Sequence, residues 1–197
     1  MKTNATAWLS CNRWLWLAWG EESTGKKCGK IAGRITGKVS LIQDRLDFWL
    51  TTVYGPVDDT RKDDFLAEIA HAAPPQGEPW LLNGDFNIIY EARDKNNSNI
   101  NRRIMGKFRA AIVAGELREI KCENGCFTWS SERQDPTLAS IDKFFCTVEW
   151  DGMFPDFMLH AASTSCSDHC PLLLVAAATP RQAPRFRFIL AKVPSFS

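Results

Sequence analysis

Net charge is the first thing this 197-residue chain lacks: 24 lysines and arginines against 23 aspartates and glutamates leave +1 at neutral pH. Such a balance announces neither a nucleic-acid nor a membrane partner, so any partner must be argued from a local site. A long apolar run is missing too. Trp14 to Trp19 is far shorter than the roughly 20 residues that span a bilayer, and Asn12 and Arg13 interrupt its approach. It reads as a buried strand, and no membrane partner is expected. The seven cysteines are odd in number, widely spread and preceded by no cleavable signal. That pattern argues against a secreted disulfide framework and for reduced thiols in an intracellular protein. Internal repeats and low-complexity tracts are also wanting, which sets aside solenoid architectures.

What is present suits a single domain with a substantial core, including eight tryptophans. Residues 1 to about 30 show no clear period, and Glu21 to Lys38, rich in Gly, Lys and Ser/Thr, reads as loop. Phe48 to Tyr54 is β-branched and aromatic and is stopped by Gly55-Pro56, the pattern of a strand and a turn. Thr60 with Asp63 predicts a helix start, with Phe65, Leu66, Ile69 and Ala73 facing inward and Pro74-Pro75 ending it. Trp80-Leu81-Leu82 reads as a buried strand running into Asn83-Gly84. From Asn101 to Leu117, Ile104, Phe108, Ile112 and Gly115 keep helical spacing, while Arg102, Arg103, Lys107 and Arg109 fall mainly elsewhere, where they could meet phosphates but read first as a solvated face. Further strands are predicted over Cys126 to Ser130, Ile141 to Val148 and Pro171 to Ala176, with apolar order continuing over Phe186 to Leu190.

Two strings far apart carry the chemistry: Asn83-Gly84-Asp85-Phe86-Asn87 and Ser167-Asp168-His169, with Ser140-Ile141-Asp142 between them. If the strand continues past Gly84, alternation aims Asp85 and Asn87 to one side and Phe86 into the core. Asp85 can then align a water or touch a metal, and Asn87 can donate to a phosphate oxygen without adding negative charge. An imidazole such as His169 exchanges protons near neutral pH, and Asp142 can hold its ring and fix the tautomer. Asp168 would point elsewhere, toward a hard cation that prefers oxygen ligands. Singly, each residue also reads as a loop charge or a turn. Trp80, Trp129 and Trp150 could stack on bases, but their strand-like neighbours favour the core. A zinc-binding module is a separate reading of Cys122, Cys126, Cys166 and Cys170, although each pair is spaced by three residues, a less diagnostic interval.

The strings VYGP (Val53 to Pro56), NGDFN (Asn83 to Asn87), SIDKFF (Ser140 to Phe145) and SDHCPL (Ser167 to Leu172), in this order, resemble the endonuclease/exonuclease/phosphatase family. DKNN (Asp94 to Asn97), NRRIMGKFR (Asn101 to Arg109), FTWSSER (Phe127 to Arg133) and RFRF (Arg185 to Phe188) resemble in particular the endonuclease domain of plant LINE-type retrotransposons. The resemblance implies an α/β fold, a four-layered sandwich of two packed, mainly antiparallel sheets flanked by helices. It implies Mg²⁺- or Mn²⁺-dependent hydrolysis of phosphodiesters in DNA, with a nuclear location for a retrotransposon enzyme. Tyr54 would contact phosphate, Asp85 would align the attacking water and help bind metal, and Asn87 would steady the transition state. Asp142 would pair with His169, and Asp168 would serve the metal. By the same analogy, residues 48–178 form the domain, 179–197 are a linker or tail, and 1–47 are a degenerate segment missing the first strands.

The family's amino-terminal Asn and metal-binding Glu have no counterpart in this sequence. Glu21 and Glu22 are the only glutamates before Glu68, and they follow the Trp14 to Trp19 run that the family's Glu should precede. Ser140 stands where an arginine clamp often lies. These departures predict a truncated or degenerate copy with weakened cation binding and weak or no turnover. The alternative is a non-catalytic remnant of the fold with weak metal and nucleic-acid binding.

Overall fold

The computed structural model describes residues 4–10, 14–18, 33–42, 44–124, 127–131, 133–162 and 167–177. In chain order the strands are β1 (Asn4–Ser10), β2 (Trp14–Ala18), β3 (Gly33–Leu41), β4 (Leu46–Tyr54), β5 (Trp80–Asp85), β6 (Arg118–Ile120), β7 (Trp129–Ser130), β8 (Leu138–Ala139), β9 (Asp142–Cys146), β10 (Met158–Ala161) and β11 (Leu172–Ala177). The helices are α1 (Lys62–His71), α2 (Arg102–Ala114) and α3 (Val148–Met153). One sheet runs β3-β4-β5-β9-β6, a second β10-β11-β1-β2, and β7 pairs with β8 alone. Among the described strands, β4 and β5 pair in parallel and the other strand pairs are antiparallel. Mixed α/β architecture with packed, mainly antiparallel sheets is thus the fold that the sequence led us to expect.

Alternation along the central strands explains the layering. On β9, Phe145 turns to one face, where Phe65, Leu66 and Ile69 of α1 and Ile104, Phe108 and Ile112 of α2 pack. Phe144 and Cys146 turn to the other, against Leu159 of β10 and Leu172 and Leu174 of β11. Both faces of the sheet are therefore covered, and all six residues of β5 are buried. Trp80 and Trp150 are core residues, each 1% exposed.

The helices follow their apolar spacing with small corrections. Asp58 accepts from the Thr60 amide and opens a 3-10 turn over Asp59–Arg61, so α1 starts later than a cap at Thr60 implies. Ala72, and not Ala73, is the buried alanine beyond its end. Asn101 caps α2, its side chain accepting from the Ile104 amide. On the polar face of α2, Arg103 and Lys107 both pair with Asp63 of α1, and Arg109 lies over the Tyr90 ring. These cations are occupied within the fold, in keeping with the solvated-face reading.

Residues 1–47, where the resemblance implies missing first strands, contain β1, β2 and β3. The run from Trp14 is a strand, as its composition suggests. The loop reading of Glu21 to Lys38 needs correcting from Gly33 onward, because β3 pairs with β4 along its whole length. Arg34 to Lys38 are exposed at the sheet edge, so backbone hydrogen bonds hold this half of the strand, and only at its far end do Val39 and Leu41 alternate with exposed Ser40 and pack on the core. Val148 likewise belongs to α3, where Thr147 provides the N-cap, rather than to the preceding strand. Of the strand expected over Cys126 to Ser130, the described residues 127–130 contain the two-residue β7, and Cys126 lies outside them. Phe186 to Leu190 and the tail from 179 lie outside the described residues.

One charged group sits deep in this frame. Lys143, 6% exposed on β9, places its Nζ 2.6 Å from Glu119 Oε1 on β6 and 3.1 Å from Asp94 Oδ2. Asp94 Oδ2 also accepts from the amides of Tyr90 and Glu91, and its carbonyl accepts from Ser140. The ammonium therefore ties β9 to the edge strand and to the loop that follows β5. Lys143→Met leaves buried carboxylates facing each other without a counter-ion. We expect a loss of about 3–5 kcal/mol in urea unfolding, whereas Lys38→Met at the exposed Lys38–Asp47 pair should cost under about 1 kcal/mol.

Candidate functional site

The site begins with the register of β5 and β9, which sets Asp85 directly opposite Asp142. Parallel pairing with β4 also sets Tyr54 opposite Asp85. All three residues lie at the same end of the sheet. Close approach of the chains enforces this end: Gly84 has φ +142°, and a Cβ there would collide with the Val53 carbonyl. A Cβ on Gly55 would likewise meet the Phe86 carbonyl.

Phe86 is fully buried and packs against Phe108 and Phe145, with ring centroids 4.9 and 5.4 Å away. This apolar plug turns Asp85 and Asn87 outward together, as the sequence suggested, but by a different route. The strand stops at Asp85, and Asn87 takes φ 49°, the left-handed conformation that asparagine tolerates better than most residues. Its amide nitrogen then donates to Gly55 O at 2.9 Å and to Asp85 Oδ2 at 3.1 Å, while its backbone N–H donates to Asp85 Oδ1 at 2.9 Å. Both side-chain protons of Asn87 are directed at acceptors of the chain itself, so its first action is on Asp85.

His169 comes from the far end of the described chain. Its Nδ1 lies 2.8 Å from Asp142 Oδ2. An ionised carboxylate only accepts, so Nδ1 carries the proton and Nε2 is left to face outward chemistry. Asp85, Asp142 and His169 offer ligand atoms that all lie within 4.8 Å of one another. Glu21 and Glu22 lie outside the described residues.

Electrostatics follow from burial. Desolvation first, and repulsion from Asp142 second, push the Asp85 carboxyl from 3.8 up to about 7, against the hydrogen bonds from Asn87 and the charge of His169. For His169, burial works to lower the pKa. The Asp142 hydrogen bond and charge, helped by Asp85 and Asp168, outweigh it and hold the imidazole above its ordinary 6.5. Two carboxylates pressed together beside an imidazole make a donor set that fits a divalent cation: the proton held at Asp85 near neutral pH marks a place where positive charge is wanted.

Asp168 stands apart from that group. Its carboxylate Oδ2 accepts from Trp129 Nε1 at 3.0 Å, so Trp129, half-buried, serves this exposed aspartate. Tyr54 is 55% exposed at the rim. Beside Asp142 opens a cavity of about 380 Å³, walled by Phe127, Thr128 and Ser140 together with Leu159 and Leu172. Of the zinc reading's cysteines, Cys126 and Cys166 lie outside the described residues, and Cys122 donates to Asn124 Oδ1. No cysteine joins the metal-competent group among the described residues.

Fold and site together define a two-sheet α/β protein with a carboxylate–histidine centre at one end of its sheets. A model of the endonuclease/exonuclease/phosphatase family matches residues 11–169, and the chain belongs to that family. Its fold is similar to that of the endonuclease domain of TRAS1, a telomere-specific non-LTR retrotransposon, with 14% identity, a TM-score of 0.57, and 73% of this chain and 63% of that one covered. It is also similar to the AP endonuclease LMAP from Leishmania major (14% identity, TM-score 0.58, 80% and 57% covered). A third likeness is to the 3'-5' exonuclease NExo from Neisseria meningitidis (17% identity, TM-score 0.52, 64% and 60% covered). These likenesses speak for the fold, and the chain spans 57% to 63% of the length of these three proteins. No curated protein matches the chain. No helix among the described residues is long and apolar enough to cross a membrane.

The raised pKa of Asp85 fixes a sign for stability. Between 3.8 and about 7 the folded chain holds a proton that the unfolded chain has released, so rising pH favours unfolding. His169, which also binds its proton more tightly when folded, acts in the same direction above 6.5. In metal-free buffer we expect Tm to fall as pH rises from about 5 to about 8. Asp85→Asn should flatten that slope in a fluorescence-monitored melt, and an unchanged slope would mean that Asp85 titrates normally.

Proposed function

We propose that this chain is built for divalent-cation-dependent hydrolysis of phosphodiesters in DNA, as the endonuclease of a LINE-type retrotransposon, at a rate well below that of an intact member of its family. The observation that carries the reading is the convergence of Asp85, Asp142 and His169 from separate strands and a distant segment, with the histidine already held by its carboxylate at 2.8 Å. Family membership supports the reaction class, and the strings around Asp94, Asn101 and Phe127 support the retrotransposon origin.

In this reading Asp85, poised near neutral pH, takes a proton from the attacking water. Asn87 fixes the orientation of that carboxylate by two hydrogen bonds. His169, its pKa raised by Asp142, donates from Nε2 in its protonated form to a phosphate oxygen as negative charge builds there. Tyr54 sits at the rim, where its hydroxyl can meet a phosphate. Asp85 and Asp142 would hold Mg²⁺ or Mn²⁺, with Asp168 contributing from the side, and the bound ion would supply Lewis-acid stabilisation of the phosphoryl oxygens.

The slow rate follows from the ligands. Apart from Glu21 and Glu22, no glutamate precedes Glu68, so the family's amino-terminal metal ligand has no clear substitute. Losing several kcal/mol of cation stabilisation lowers the rate by roughly a thousandfold. The same observation favours the second reading, a remnant that binds cation and DNA weakly and does not turn over.

Supercoiled plasmid with Mg²⁺ decides between them. We expect slow conversion to nicked circles, abolished by His169→Ala and by chelation. No nicking at any Mg²⁺ concentration, alongside weak calorimetric Mg²⁺ binding, leaves the remnant; tight single-site binding counts against it.

A further inference from the structure

One buried threonine touches the backbone on both sides of the carboxylate–histidine pair. Thr128 is 3% exposed and lies just before β7. Its Oγ1 accepts from the amides of Ile141 and Asp142, at 3.1 and 3.0 Å. Its own amide donates to Ala139 O at 2.9 Å, and its carbonyl accepts from the Cys170 amide at 2.7 Å. Asp142 and His169 therefore each have a backbone attachment to this single residue or its immediate neighbour in the chain.

The attachments repeat along the strand. Trp129 forms an antiparallel bridge with His169, and the Ser130 amide donates to Asp168 O at 2.8 Å. Residues 128–130 thus hold the His169 segment by backbone pairing on one edge. On the other they hold the chain entering β9, through β8 and through the Thr128 hydroxyl. Among the described residues, the Asp142–His169 contact is the hydrogen bond that joins β9 to the 167–170 segment. Between the two backbones lie residues 128–130, and Thr128 is the one that bonds to both segments.

We infer that Thr128 is the positioning residue of the Asp142–His169 pair, a splint whose hydroxyl and carbonyl set the register of the two segments that supply it. A hydroxyl is required because it can take two amide protons on its lone pairs. Valine has the same shape and cannot accept either, so Thr128→Val leaves two buried N–H groups unpaired and lets the entry to β9 move. Serine keeps the acceptor. The functional consequence rests on the reading of the site as hydrolytic, but the positioning claim does not.

The test is proton NMR of the full chain without metal. In the parent, the His169 Nδ1 proton, held against Asp142, should give a downfield imidazole signal protected from exchange with water. It should disappear in Thr128→Val and persist in Thr128→Ser. Plasmid nicking should fall about tenfold or more in the valine variant and return with serine. A folded valine variant that keeps the signal overturns the inference, as does a serine variant that loses it. Should the valine variant fail to fold, amide exchange in the parent decides: Ile141 and Asp142 should exchange far more slowly than exposed loop amides, and equal rates refute the splint. Absence of nicking in the parent bears only on the proposed activity, because the imidazole signal is read independently.

Discussion

The antiparallel register that seats Asp85 against Asp142 is the constraint from which the rest of the site follows. Opposed residues in such a pair bring their side chains within about 5 Å, and like charges there are destabilising. Burial sharpens the conflict, because neither carboxylate has full access to water. The protein answers it in three ways that are visible at once. Asp85 holds its proton to an unusually high pH, the side-chain and backbone amides of Asn87 donate to Asp85, and Asp142 faces an imidazole whose pKa is raised above its ordinary value. A pairing chosen for stability alone would not put two acids here.

What makes the conflict tolerable is the apolar framework beneath it. Phe86 is locked among Phe65, Phe108 and Phe145, and a buried aromatic side chain contributes roughly 1.5–3 kcal/mol. That anchor fixes the direction of Asp85 and Asn87, its immediate neighbours. Gly84 and Gly55 let the backbones of β4 and β5 come close enough for Tyr54 and Asp85 to end level. On the second sheet, Leu172 is buried three residues beyond His169, so the segment carrying the histidine is drawn toward the same interior. Precision at the surface is thus borrowed from packing below it.

Legibility in the sequence tracked burial. Helix α2 was readable because Ile104, Phe108 and Ile112 recur with the helical period, and β5 from its apolar run Trp80-Leu81-Leu82, although the strand continues through Asn83-Gly84 to Asp85. The first half of strand β3 was not, since Arg34 to Lys38 are exposed at an edge held by backbone pairing, and only Val39 and Leu41 at its end pack on the core. Among site residues, Asp85, Asp142 and His169 were legible as chemically apt groups at strand ends. The left-handed turn at Asn87 was not, because strand alternation predicted the same outward direction for another reason. Thr128 and Lys143 were invisible as well: one acts through amides of residues far along the chain, the other through acids on two different elements. Only the three-dimensional pairing gives those residues their roles. Thr128 did stand inside a recognised string, FTWSSER, where resemblance could mark the segment without explaining it.

Charge count links this geometry to the catalytic prospects of the chain. With both carboxylates ionised and the imidazole charged, the Asp85–Asp142–His169 group carries one net negative charge, a modest attraction for a hard divalent ion whose affinity scales with ligand charge. Asp168 adds a second, but its carboxylate is shared with the Trp129 indole and lies at the exposed rim. A proton and a cation are alternative occupants of the space between Asp85 and Asp142, and near neutral pH the proton is already competitive there. A further carboxylate would tip that competition toward the metal by adding charge without adding another proton-holding pair. On the proposed hydrolytic reading, the value of such a carboxylate lies less in one more contact than in letting the cation, and not the proton, relieve the opposed acids.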